Sequence, residues 1–204
     1  MTGEQIVWFV SVLTFAVAMS ATPGPNNAML AASGASFGFR RSVPHILGVS
    51  LGFPVLILTT AVGAAEFLRR TQWLEQALHW AATLYMLWLA WKIATAQPKA
   101  AASAARGRPL TFWQAALFQW INPKGWVAAL GAVVAYATGS GSGLLVQAGL
   151  IATVFLVVSF PVTALWTAVG VGVAQFLREP RALRIFNVVM AILLVASLVP
   201  TFGS

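Results

Sequence analysis

The chain has 204 residues, 59% of them hydrophobic, with a mean hydropathy of +0.84 and a formal net charge of +8. Charged residues make up 8%, against about 25% in an average soluble domain, too few to cover a water-facing surface of this size. Aspartate and cysteine are absent, and the four acids are Glu4, Glu66, Glu75 and Glu179, which excludes disulfides, thiolate zinc sites, most metal cages and paired-carboxylate hydrolysis.

The basic residues punctuate long apolar blocks instead of lining a solvated face. That pattern argues against nucleic acid and for a lipid bilayer as the partner. A bilayer core about 30 Å thick takes about 20 apolar residues per helix, and six such spans are predicted. The residues before the first, Met1–Gln5, hold Glu4 and no Lys or Arg. They lack the basic start of a signal peptide and are expected to stay in the chain.

The first span, about 6–37, carries no charge and is longer than a bilayer requires. Near its middle stands Thr22-Pro23-Gly24-Pro25-Asn26-Asn27. Both prolines lack an N–H and clash with the preceding turn, and Gly24 adds backbone freedom between them. A break is expected. Unwound backbone at membrane depth is tolerated only in protein or against a water-filled cavity, so the break predicts a cavity with Asn26 and Asn27 beside it. Arg40 and Arg41 follow.

The second span, about 43–65, contains His45, Pro44, Pro54 and Gly48-x-x-x-Gly52. The glycine pair allows close helix approach, and the prolines are read as kinks. His45 lies near the span's end, suited either to carry a proton or to bond at the interface. Arg69 and Arg70 precede the third span, about 74–96, which holds His79. A short basic loop, about 97–111, carries Lys99, Arg106 and Arg108.

The fourth span, about 112–137, repeats the theme of the first. Asn122-Pro123-Lys124 falls near its centre, and Pro123 lies 100 residues after Pro23. Lys124 is the one charge placed deep in a span, at a cost of about 2.5–3.5 kcal/mol. With no acid at matching depth, a bound anion is its natural partner; the competing account is a snorkelling side chain whose stem reaches an interface. Trp120 and Trp126 flank the break and are candidates to line its cavity. A Gly/Ser turn at 138–143 leads to the fifth span, about 144–173, with Pro161 read as a kink. Arg178, Arg181 and Arg184 precede or open the sixth, about 182–201.

Nine basic residues lie in or beside the odd-numbered connections and two in the even ones, which puts the former in the cytoplasm and both termini outside. Three spans per half is an odd number, so a second half inserts upside down. Inverted repeats with interrupted helices at the midplane are a transporter plan. The expected fold is all-α: one membrane domain over 1–204, with repeat 1 at about 1–96 and repeat 2 at about 112–204. Half-helix N-termini and Lys124 suit a carboxylate, while freed carbonyls, Asn26 and Asn27 suit an ammonium group. That is a site for a small zwitterion, with no cofactor or metal. An enzyme is disfavoured because Ser20, Ser33 and Ser159 have no evident base partner. A passive pore, an assembly subunit and a homo-oligomer stay open.

The same residues resemble the LysE/RhtB family of amino-acid exporters. The match runs through Ala21-Thr-Pro-Gly-Pro-Asn-Asn27, Ala32-Ser-Gly-Ala-Ser-Phe-Gly-Phe-Arg40 and Leu47-Gly-Val-Ser-Leu-Gly-Phe53. It continues in Tyr85-Met-Leu-Trp-Leu-Ala-Trp-Lys-Ile93 and Phe118-Gln-Trp-Ile-Asn-Pro-Lys124, in order along nearly the whole chain. The resemblance implies bacterial inner-membrane exporters of amino acids driven by proton antiport. Many relatives carry an acid where this chain has Phe53, which argues against a cationic substrate and adds Phe53 to the candidate cavity. Gly52-Phe53 with Trp91-Lys-Ile-Ala94 looks most like the cysteine/O-acetylserine exporter branch, with homoserine, threonine and leucine as alternatives. The proton carrier is left among Lys124, His45 and the substrate itself.

Overall fold

The computed structural model describes residues 2–64, 108–137, 141–176 and 180–196, and single positions 73, 76, 80, 83, 84, 87, 88, 90, 91, 94 and 95. Most of the third predicted span with His79, the Arg69–Arg70 pair, the basic loop up to 107, the first half of the turn at 138–143 and the sixth span beyond 196 lie outside the described residues. Most of those described are helical, with no strand among them. In chain order the elements are α1 (Gly3–Ala21), α2 (Pro25–Phe37), α3 (Phe39–Thr59), a π-helical turn (Thr60–Ala64), α4 (Phe112–Phe118), a 3-10 turn (Gln119–Ile121), α5 (Pro123–Tyr136), α6 (Ser142–Phe176) and α7 (Pro180–Ala196).

Local chemistry sets the ends. Thr2 and Gln5 form a capping box at α1, and Thr111 and Gln114 form a second one at α4, each satisfying two otherwise orphaned N–H groups. Gly38 closes α2 and opens α3 at φ 77°, a conformation that a side chain would strain. Pro25, Pro123 and Pro180 each open a helix, where a missing N–H costs nothing. Pro44, Pro54 and Pro161 lie inside α3 and α6, which continue through them.

Three of the described helical stretches are long and apolar enough to cross a membrane: Gly3–Ala21, Phe39–Gly63 and Ser142–Ala174. The first and fourth predicted spans are each divided by a break; Gly3–Ala21 is the first half of the first, and Pro25–Phe37, Phe112–Phe118 and Pro123–Tyr136 are shorter pieces. Large apolar side chains such as Val7, Val55, Val134 and Val157 face outward. An outer face of this kind suits lipid.

Small residues let the helices meet backbone to backbone. Gly34 of α2 lies against the Thr167 carbonyl of α6, and Gly170 of α6 lies against the Ala31 carbonyl of α2; a Cβ at either would overlap that oxygen. Gly48 and Gly52 of α3 face Phe112, Ala115 and Ala116 of α4 in the same way, the close approach that their spacing predicts. The main core joins Val12 and Ala16 of α1, Phe53, Leu56 and Ile57 of α3, Ala128, Ala129 and Ala132 of α5, and Phe155 of α6. The rings of Phe53 and Phe155 sit 5.1 Å apart at its centre. Trp8 Nε1 donates to Tyr136 O at 2.9 Å, so the start of α1 meets the end of α5 and the two helices run antiparallel.

Candidate functional site

α1 stops at Ala21 because the chain cannot continue a helix into two prolines. Thr22 lies at φ −61°, ψ 140°, the extended conformation a following proline imposes. Gly24 lies at φ −177°, ψ −177°, extended backbone open to any residue. Its lack of a side chain therefore serves space, not conformation: a Cβ there would stand 2.7 Å from Lys124 Cδ and 3.0 Å from Lys124 Nζ.

The carbonyls released by this break are taken up by side chains. Asn27 Nδ2 donates to Ser20 O at 2.8 Å and to Thr22 O at 2.9 Å. Thr22 Oγ1 donates to Met19 O at 3.2 Å. Lys124 Nζ donates to Thr22 O and Thr22 Oγ1, both at 2.7 Å, and to Pro23 O at 3.3 Å. Thr22 and Pro23 are exposed, and Lys124 and Asn27 satisfy within the protein the carbonyls that the break releases.

The second break is tighter. α4 narrows to the 3-10 turn Gln119–Ile121, and Asn122 at φ −86°, ψ 106° is again extended before a proline. Trp126 Nε1 reaches back one turn to donate to Trp120 O at 2.9 Å, with the two rings 6.2 Å apart and edge to face. Gln119, fully buried, forms a reciprocal amide pair with Asn26: Asn26 Nδ2 donates to Gln119 Oε1 at 2.8 Å, and Gln119 Nε2 donates to Asn26 Oδ1 at 3.2 Å. Gln119 Nε2 also donates to Ala115 O.

The two breaks thus face one cavity of about 60 Å³. Gly24, Pro25, Asn26 and Asn27 line it from α2, and Asn122, Lys124 and Gly125 from α5. Phe53 and Val49 of α3 and Phe155, Ser159 and Thr163 of α6 supply other walls. α2 and α5 both open here with a proline and without a side-chain cap, so the first N–H groups past each proline stand outside the helical ladder. Asn122 is buried, and its Oδ1 has no hydrogen-bond partner among the described residues.

A family model for the LysE type translocator matches residues 17–197, a stretch that includes both breaks and every wall of this cavity. The chain belongs to that family. A protein of Escherichia coli (strain K12) named cysteine/O-acetylserine efflux protein is 35% identical over 111 residues, which is 54% of this chain and 56% of the relative. A Salmonella typhimurium protein of the same name is 38% identical over an equal stretch. The chain spans about half the length of these curated relatives. No solved structure matches it.

Within this LysE-family site the two predicted motifs come together, 100 residues apart in sequence. Lys124 touches Thr22 and Pro23, and Gly24 through Asn27, Asn122 and Phe53 line the cavity. Pro123 opens α5 beside it. Three expectations change. Lys124 was expected to await an anion, but its ammonium already rests on carbonyl oxygens. Trp120 and Trp126 do not line the cavity; their mutual contact clamps the turn instead. His45 makes no interfacial hydrogen bond among the described residues: it is 1% exposed in the second turn of α3, outside the cavity wall, and neither ring nitrogen has a partner there. Gln119, Ser159 and Thr163 were missed as site residues. Gln119 carried a signal, being a buried-type amide three residues before the break.

Proposed function

We propose that this chain is a secondary transporter of the bacterial inner membrane that exports a neutral amino acid or a close derivative, of the cysteine or O-acetylserine kind, by proton antiport. The observation that carries this reading is the meeting of two proline breaks over one cavity, bridged by Lys124. Two uncapped helix N-termini favour a carboxylate, and the carbonyls of Thr22 and Pro23, with the orphaned Asn122 Oδ1, favour an ammonium group. Phe53, Val49 and Phe155 offer an apolar wall to a small side chain and no acid to a cationic one.

The membrane domain would be one unit over 1–204, six crossings in two inverted halves with both termini outside. The antiparallel run of α1 and α5 supports opposite orientation of the first and fourth crossings. Alternating access would rock one half against the other around the breaks. Lys124 and the substrate are candidate proton carriers, with His45, one helical turn before the cavity-lining Val49, a third.

The test is an efflux and resistance screen in cells expressing the chain, with cysteine, O-acetylserine, homoserine, threonine and leucine and their toxic analogues. Export of cysteine or O-acetylserine against a gradient, lost on adding a protonophore, is the expected result. Export of homoserine, threonine or leucine alone moves the substrate to that branch. Equilibration without accumulation makes the protein a passive pore.

A further inference from the structure

Lys124 presents three N–H donors to three acceptors, Thr22 O, Thr22 Oγ1 and Pro23 O, at 2.7, 2.7 and 3.3 Å. That is the full donor set of an alkylammonium. The α-ammonium of an amino acid has the same charge and the same three donors. It would want the same seat, and the seat is taken.

The cavity beside it is also too small for cargo. Its 60 Å³ holds about four to six waters at ~10–15 Å³ each, well below the ~300 Å³ at which ligand pockets begin. The Lys124 stem packs so closely on Gly24 that a Cβ there would meet its Cδ at 2.7 Å. The lysine therefore occupies both the polar seat and much of the volume between the breaks. Next to it, Asn122 lines the cavity, and its Oδ1 is buried with no partner among the described residues. An acceptor is waiting where the tethered ammonium does not reach.

We propose that Lys124 is a tethered stand-in for the substrate's ammonium group, holding the empty site closed until cargo displaces it. This rests on the transport reading above. The incoming α-ammonium takes the carbonyls of Thr22 and Pro23 and gains Asn122 Oδ1. Lys124 swings with the cargo's carboxylate as its new partner, and the cavity widens by the volume of the stem. One cation replaces another at the carbonyls, and no bond is made or proton moved. The exchange needs both ends of a zwitterion. An N-acylated acid offers no cation to replace Lys124. An amine without a carboxylate would leave two cations side by side.

The discriminating variant is Lys124→Met, which keeps the stem and removes the charge and donors. Binding to purified, monodisperse protein is measured for O-acetylserine, N-acetylserine and propylammonium, the last a free copy of the lysine head. Wild type is expected to bind O-acetylserine and neither of the others. Lys124→Met is expected to bind propylammonium at least about tenfold more tightly than wild type, and O-acetylserine about tenfold less tightly. Gly24→Ala, which crowds the lysine off its seat but keeps its charge, should tighten O-acetylserine binding without admitting propylammonium, and serves if Lys124→Met does not fold. Equal propylammonium affinity in wild type and Lys124→Met overturns the inference, as does O-acetylserine affinity in Gly24→Ala no tighter than in wild type, or wild-type binding of N-acetylserine as strong as that of O-acetylserine. Gain of propylammonium binding by Lys124→Met, with no wild-type affinity for O-acetylserine, upholds the stand-in and sinks the substrate assignment instead.

Discussion

At the first break the chain runs extended through Thr22–Gly24 and leaves its carbonyls to be met from elsewhere. At the second, a 3-10 turn keeps Gln119–Ile121 wound, and only Asn122 is extended. Both end in a proline that opens the next helix, yet one break supplies acceptors and the other supplies the cation that meets them. The first is held by Asn27 close by and by Lys124 reaching in from a distance. The second is held locally, by Trp126 on Trp120 O and by Gln119 on Ala115 O. Two similar motifs meet at one cavity in complementary roles, and under the proposed function the looser of the two is the one whose hydrogen bonds cargo replaces.

Several changes would break or sharpen that contrast. Lys124→Gln should cut export by roughly 100-fold or more at equal membrane expression, since it removes the ammonium that joins the second break to the carbonyls of the first. Near-normal efflux from this variant would make Lys124 a mere anchor. Replacing Pro23 and Pro25 together by Ala should let α1 and α2 join, lowering export about tenfold while thermal stability holds or rises. Pro123→Ala should do less, because the turn before it is clamped independently; an equal loss from both would remove the asymmetry. Gln119→Leu leaves the Asn26 amide unpaired and should destabilise the protein by about 1–3 kcal/mol in a denaturation series. Trp126→Phe keeps the ring and loses one hydrogen bond, and should cost about 0.5–1.5 kcal/mol with export largely intact.

The breaks were legible because proline acts on its own neighbours: it deletes an N–H and forces the residue before it to extend, so Thr22–Asn27 and Asn122–Lys124 could be placed from the chain alone. Their meeting was suggested by the matching prolines but not the manner of it. The Asn26–Gln119 pair spans 93 residues and has no local signature. Ser159 and Thr163 sit in an apolar run where a hydroxyl can bond its own helix, as Thr163 Oγ1 does to Phe160 O, so nothing marked them as cavity walls. The burial of His45 depends on which face of α3 is packed against its neighbours, and a helix that is apolar nearly all round does not declare that face.

The crossing of α2 and α6 has a mechanical consequence. Gly34 and Gly170 bring each helix onto a carbonyl of the other with no side chain between them, so neither can slide along the other without collision. α6 has 35 residues, a rod about 52 Å long by its rise of ~1.5 Å per residue, while the hydrocarbon layer is about 30 Å thick. A displacement of α2 at the cavity is therefore geared directly to a shaft that outreaches the bilayer.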